Sequence, residues 1–590
     1  MPNTSPFPRQ RDGYASVTAG RVATCSQKEG EARAPPAAAR CGVRLRKSAL
    51  GPAQGPRAAW ALAVAVPLVL AAVCLRSFAR SGYLLQVDIV FGPRPGPVTA
   101  GFGAPVALLQ GAAGGLLGGE LAGRLYAGGV LFLAGFAPMV LLRRARWYAQ
   151  SVAGIIGVLN PWVYDRMVEG QWSVVAAAAG LFLWVAAWEA LQARPGPREA
   201  ALLALIGAGT AAFSPHMLGP IAVLGIVGGA WSRIWRERNR ITWTIASFSM
   251  LALLLLPGVA WFFVGEQERA YESVKQFSGA DFAFFRSTPD RDYGLLVNLI
   301  GLYGYWGERL GRFPLATDGA PWWPLTTAVV VAAAVAGAVL ERARTWLLPC
   351  GVVGLAVSAS TAVPAVREAM VWLTERVPLV AAYREPQKWS ALWLVAVASL
   401  AAGAVDQLSR RREQLVRTRV PLAPTVAYVV VLAALFPAGV AQIRAIPPIV
   451  KPLEYPGHWY RTRDYLAASV PPREPVAVLP WHLYQPLSFT EGRLVANPAR
   501  VFFPGRIIAP RNLEIPGRTT EVITRYDRIG LVVAREGHGT CALATELRNQ
   551  HVRWVLVLDA AEGAEVIRTL SRCGASLVHG RPGQTAVLRL

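Results

Sequence analysis

A chain of 590 residues that is 53% hydrophobic and only 16% charged, with a mean hydropathy of +0.35, is too apolar for a soluble protein, in which about a quarter of residues are charged. Its net charge of +24 would suggest nucleic acid in a soluble protein. Here, however, Lys and Arg gather in short clusters beside apolar runs, the positive-inside pattern of a membrane protein, and no nucleic-acid signature accompanies them.

Residues 1–57 are rich in Arg, Ala and Pro and lack periodicity, which reads as a disordered basic cytoplasmic tail. Residues 58–443 hold eleven apolar segments near the length that crosses a hydrocarbon core as helix, about 20 residues. They are Ala58–Leu75, Leu125–Leu142, Tyr148–Val163, Trp172–Gln192, Ala200–Pro215, Gly219–Ile234, Ile241–Val264, Leu325–Leu340, Trp346–Val363, Trp389–Val405 and Pro424–Ile443. If these spans alternate, the clusters at Arg143–Arg146, Arg233–Arg240, Arg342–Arg344 and Arg410–Arg419 all fall on the cytoplasmic side. Gly82–Gly123 then lies outside or at the interface, and Gly265–Trp323 outside. The small-residue run GAAGGLLGGELAG (111–123) reads as helix-packing spacing, and Ala365–Ala382 as an amphipathic stretch along the outer interface.

Residues 444–590 change character. The β-rich runs PVAVLPW (475–481), IGLVVA (529–534), VRWVLVLD (552–559) and TAVLRL (585–590) alternate with helical patterns, which predicts a small α/β domain. An odd number of spans after a cytoplasmic N-terminus places it outside the cell. Cys541 and Cys573 lie in it and could pair in an oxidising compartment. Trp481, His482 and Tyr484 follow a predicted strand, where α/β domains often bind ligands; the aromatics suit a sugar face in a scaffolding or acceptor-binding role.

The expected external segments carry the chemistry. GYLLQVDIVFGPRPGP (82–97) has Asp88 as its only acid. NPWVYDRMVEGQW (160–172) has Asp165 and Glu169, four apart and so on one face of a helix. Gly265–Trp323 holds Asp281, Asp290, Asp292 and Glu308, and YREPQKW (383–389) holds Arg384, Glu385 and Lys388. A carboxylate at a span end can deprotonate an acceptor hydroxyl or hold Mg²⁺ or Mn²⁺. Arg384 and Lys388, by charge and position, suit a lipid-linked phosphate. The simpler alternative for NPWVYDRMVEGQW is a solvated turn. HExxH, Walker A, GxSxG and CxxC patterns are absent, so metalloprotease, P-loop ATPase, α/β-hydrolase and zinc-ribbon readings have no support.

With an acid in its first external loop, acids again in the second and a C-terminal external domain, the chain resembles the GT-C class of membrane glycosyltransferases. NPWVYDRMVEGQW and YREPQKW resemble elements of actinobacterial arabinofuranosyltransferase-like proteins. The resemblance covers residues 58–443 as architecture. It implies Asp88 as the catalytic acid of the first loop, and Asp165 and Glu169 as binding either acceptor or metal. The paired adjacent or alternate acids of the class are missing from both loops, which puts metal dependence in question. The implied activity is transfer of a sugar from a polyprenyl-phosphate donor to an extracytoplasmic glycan, lipid or protein, with membrane lipid and no nucleic acid among the partners. Two other classes compete: a transporter of a lipid-linked or small polar solute, and a non-catalytic membrane scaffold.

Overall fold

The computed structural model describes residues 56–96, 104–264, 277–318, 320–415, 422–510, 514–515 and 524–590. The expected N-terminal tail, apart from Pro56 and Arg57, lies outside the described residues. The apolar runs form helices because only a helix satisfies its own backbone polar groups in lipid. In chain order they are α1 (Pro56–Cys74), α2 (Ala104–Leu141), α3 (Trp147–Val158), α4 (Pro161–Glu169), α5 (Trp172–Ala193), α6 (Pro197–Phe213), α7 (Leu218–Ser232) and α8 (Arg238–Val264). Then follow two short helices, α9 (Gly279–Phe284) and α10 (Gly294–Ile300), and α11 (Trp323–Leu340), α12 (Leu347–Ser360), α13 (Pro364–Arg376), α14 (Ser390–Leu415) and α15 (Leu422–Ile449).

Each of the eleven expected spans coincides with a helix, but the count of full crossings is smaller. Among the described residues six helices are long and apolar enough to cross a membrane, or seven if α12 and α13, bent by 86°, make one broken span. Helices α3, α6, α7 and α12 have 12, 17, 15 and 14 residues. At 1.5 Å per residue they rise about 18–26 Å, short of a core about 30 Å thick.

The centre of the bundle is α5 and α14, whose apolar windows are 78% and 89% buried; α8 and α11, at 17% and 22%, are peripheral. Burial all round explains why α5 carries apolar residues on every face. At one end of the bundle three of the arginine clusters come together. Arg344 Nε lies 2.6 Å from Glu189 Oε1, Arg410 donates to the carbonyl of Arg144 at 3.2 Å, and the Arg146 amide donates to Asp406 at 3.0 Å. Glu189 stands about 18 residues, or about 27 Å, along α5 from Gln171, which belongs to the opposite end.

Two segments differ from their expected form. Residues 104–123 of the expected Gly82–Gly123 segment are helical, the first half of α2, which breaks at Gly118 (φ 78, ψ 150). Their small side chains admit a loop, not another helix: a Cβ on Gly119 would come within 1.9 Å of the Gly92 carbonyl oxygen. And IGLVVA is helical, within Asp527–Glu536. Ile529, Val532 and Val533 join one core at helical three-and-four spacing, so periodicity overrides the β-branched composition.

In the C-terminal region β1 (Tyr83–Leu84) pairs antiparallel with β2 (Pro452–Leu453), tying it to the first loop. Helix α16 (Gly457–Ser469) leads to β3 (Pro475–Leu479), the hairpin β4 (Tyr484–Pro486) and β5 (Leu494–Ala496), α17 (Ala499–Phe502) and β6 (Arg506–Ile508). After α18 (Asp527–Glu536) and α19 (Cys541–Asn549) come β7 (Trp554–Val557), α20 (Gly563–Arg572), β8 (Ser576–His579) and β9 (Ala586–Arg589). The five-stranded sheet has the order β6-β3-β7-β9-β8, with β3 parallel to both β6 and β7. Residues 476–479 of β3 and all of β7 are buried, as continuous apolar strands covered on both faces require. One face packs Trp459, Phe502 and Phe503, and the other packs α18, α19 and α20. A disulfide joins Cys541 to Cys573.

Candidate active site

The segment around Asp165 is not a solvated turn. Asn160 caps α4 by accepting the amide of Val163, and Pro161 occupies the first turn, the favoured start of a helix. Every residue from Pro161 to Gly170 is buried. Gly170 ends the helix in the left-handed conformation (φ 88). A Cβ there would also meet Gln86 Cβ at 2.8 Å, so glycine is needed twice over. That close approach seats the first loop on α4: the amide of Asp88 donates to the carbonyl of Glu169 at 2.9 Å. The same loop is held from the other side, where the Ala496 amide of β5 donates to the Gln86 carbonyl at 3.0 Å.

Asp88 is exposed to solvent, while Glu385, Gln171, Lys388 and Arg312 stand close enough to act on its carboxyl. The space among these groups is the candidate recess. Burial first, then the charge of Glu385, raise its pKa, against a hydrogen bond from Gln171 and the charges of Lys388 and Arg312.

The other acids of the recess are buried and engaged. Glu385 accepts from Lys388 Nζ at 3.2 Å, from Gln171 Nε2 at 3.3 Å and from Trp306 Nε1 at 3.3 Å. Burial works to raise its pKa, but Lys388, Arg384 and Arg166 outweigh burial and hold it below the usual carboxylate range. Glu169 Oε1 pairs with Arg312 Nη2 at 2.9 Å; burial, with the charge of Asp88, nonetheless pushes it up to about 7. Asp165 shares a hydrogen bond with Glu308. Burial and the Glu308 charge raise Asp165 well above its usual value, and burial lifts Glu308 to about 7. Two carboxyls this close cannot both ionise readily and share one proton.

Between these acids lies Arg166, fully buried. Its guanidinium sits 4.1 Å from the Tyr305 ring centroid and 5.4 Å from that of Trp162. None of its side-chain nitrogens has a hydrogen-bond partner among the described residues. Stacking and the field of the surrounding carboxylates offset its burial.

The structure thus brings Asp88, Glu169 and Lys388 together, with Asp165 one helical turn away. It does not form the expected Arg384–Lys388 phosphate clamp. Lys388 is buried and committed to Glu385, while Arg384 stacks over Phe277 at 4.1 Å and Phe285 at 5.0 Å. Asp165 and Glu169 are engaged with Glu308 and Arg312, while Asp165 Oδ2 and Glu169 Oε2 are buried without a hydrogen-bond partner among the described residues. The acids of the recess are not among the groups of three or more His, Cys, Asp or Glu whose ligand atoms converge within 4.8 Å among the described residues.

Gln171, Arg312, Tyr305 and Trp306 join the site without having been singled out; no local pattern marks them. Tyr484 also faces it: burial, then the charges of Asp88, Glu385 and Glu169, raise its pKa. Asp281 and Asp290 are instead turn formers, with Asp281 closing the capping box of α9 and Asp290 accepting the amides of Asp292 and Tyr293.

No protein-family model and no curated protein matches the sequence. Solved structures do. The cryo-EM structure of arabinofuranosyltransferase AftD from Mycobacteria aligns with a TM-score of 0.58 and 17% identity over 91% of this chain and 40% of its own. A mutant of the same protein aligns with a TM-score of 0.56 and 16% identity over 91% and 42%. The chain has the GT-C-type glycosyltransferase fold. It spans about two fifths of the length of these AftD chains.

Proposed function

We propose that this multi-pass membrane protein is a glycosyltransferase that takes a sugar from a polyprenyl-phosphate donor and passes it to an extracytoplasmic glycan, lipid or protein. One observation carries the reading. Among the described acids of the recess, Asp88 alone is exposed, while Glu385, Glu169 and Asp165 are buried and engaged with Lys388, Arg312 and Glu308. A reachable carboxylate with a raised pKa is suited to general-base work.

In this mechanism the acceptor hydroxyl approaches Asp88 and gives it the proton as the oxygen attacks the anomeric carbon. The bond from that carbon to the phosphate oxygen breaks, and its electron pair leaves with the polyprenyl phosphate. Arg312, held by Glu169, provides positive charge beside the leaving group. No step runs through a metal ion. Tyr484, brought by the β4–β5 hairpin, would line the acceptor side. On α2, beside the Asp88 loop, Leu108, Leu109, Leu116, Leu117 and Leu121 are exposed, an apolar face that suits a prenyl chain.

Two features support an extracytoplasmic site. The arginines gather at the bundle end opposite the acids, which the positive-inside rule assigns to the cytoplasm, and the Cys541–Cys573 disulfide belongs to an oxidising compartment.

The test is the purified chain in proteoliposomes with a labelled polyprenyl-phosphate sugar and a hydroxyl acceptor. Release of polyprenyl phosphate coupled to acceptor labelling supports the proposal. Movement of intact donor across the bilayer without cleavage would overturn it in favour of a transporter.

A further inference from the structure

We propose that His482, His538 and Glu562 form a binding site for a divalent transition-metal ion of the zinc type, separate from the acid recess. Among the described residues this is the group whose three ligand atoms lie within 4.8 Å of one another. His482 follows the C-terminal end of β3, and Glu562 precedes α20 after the C-terminal end of β7. These are neighbouring parallel strands, and such strand ends are where α/β sheets place ligands. His538 comes from the loop between α18 and α19.

The distances suit an ion. Zinc bonds of about 2.1 Å in a tetrahedral shell put ligand atoms about 3.4 Å apart. Glu562 Oε2 stands 3.5 Å from His482 Nε2 and 2.8 Å from His538 Nδ1. The outer partner is present too. Glu514 Oε2 lies 3.1 Å from His482 Nδ1, and its other oxygen accepts the Leu483 amide at 2.9 Å. A carboxylate on the far nitrogen fixes the tautomer and turns Nε2 toward the ion. Two imidazoles and one carboxylate favour zinc-like ions over Mg²⁺ or Ca²⁺, which prefer oxygen alone.

The Trp481 amide donates to His538 Nε2 at 2.7 Å, so Nδ1 carries the ring proton and donates it to Glu562. A metal ion replaces that proton at Nδ1, and the ring gives up its bond from Trp481. Glycines on both sides of His538, Gly537 at φ 77 and Gly539, let the loop make this shift. The bound ion would fasten the segment running into Tyr484 to α20, bracing one wall of the recess.

The experiment uses the full chain in detergent, stripped with chelator and titrated calorimetrically with Zn²⁺ and separately with Mg²⁺, with Co²⁺ absorption reporting geometry. Expected are one Zn²⁺ bound per chain, a rise in the unfolding midpoint, a four-coordinate Co²⁺ spectrum and no matching Mg²⁺ binding. The His482→Ala/His538→Ala double variant should lose the site. The milder Glu514→Gln variant, which leaves all three ligands in place, should bind about 10–100-fold more weakly. Absence of Zn²⁺ binding, equal binding of Mg²⁺, or Zn²⁺ affinity unchanged in the double variant would overturn the proposal. Because the readout is binding, it stands or falls independently of sugar transfer.

Discussion

The backbone amide of Asp88 donates to the carbonyl oxygen of Glu169 across 2.9 Å, so the exposed acid of the first loop is positioned by the C-terminus of α4. Gly170 makes that contact feasible. Gly170→Ala would strain a left-handed backbone position and push a methyl group to 2.8 Å from Gln86 Cβ. The expected cost is about 1–3 kcal/mol of stability, seen as a lower unfolding midpoint in detergent. Transfer should be lost beyond what the unfolded fraction explains, since the Asp88 loop must move. A variant as stable and active as the parent would show that the loop is not seated there.

The Glu385–Lys388 pair is buried on both sides, at 8% side-chain exposure each. Removing one partner strands a charge, and buried pairs broken this way typically cost about 3–5 kcal/mol. Glu385→Gln and Lys388→Met should each destabilise strongly. The double variant should recover much of the stability, because neither charge then remains buried, yet it should stay poorly active. Unfolding midpoints of the four proteins measure the coupling; additive losses would contradict it.

Glu169 and Glu308 are both pushed up to about 7. A carboxyl with a raised folded-state pKa binds its proton more tightly folded than unfolded. Its stabilising contribution is complete below the ordinary carboxylate pKa and is lost as pH rises through about 7. The unfolding midpoint should therefore drop between about pH 5 and pH 7.5 on account of these groups. Glu308→Gln, which keeps the shape without the charge, should flatten that drop and be relatively more stable at the higher pH. Parallel pH profiles for parent and variant would contradict the reading.

Much of the site could be read from the sequence because it sits at span ends. Asp88, Glu169 and Lys388 carry charge next to apolar runs, and their side chains act on one another in the structure. On a helix the i, i+4 spacing puts Asp165 and Glu169 on one face, and the segment is the helix α4. The spacing could not show that Glu308 would come to Asp165 and Arg312 to Glu169, from about 140 residues away. Those partners lie in a long segment with no motif, and only packing against α4 brings them in. The phosphate-clamp reading of Arg384 and Lys388 failed for a related reason: charge and position do not reveal that Glu385 takes Lys388 and that Phe277 and Phe285 take Arg384. The glycines of 111–123 read as helix-packing spacing because sequence shows small residues but not what they face. Here it is the Asp88 loop.

The central claim is that Asp88 accepts the acceptor proton, and Asp88→Asn tests it most directly. Asparagine keeps the size and cannot take up the proton, and general-base catalysis is worth about 10²–10⁴-fold. With purified protein and a polyprenyl-phosphate sugar donor, turnover should fall by at least about 10²-fold while the unfolding midpoint and donor binding stay near the parent values. A stable Asp88→Asn protein that transfers sugar at the parent rate would contradict the account.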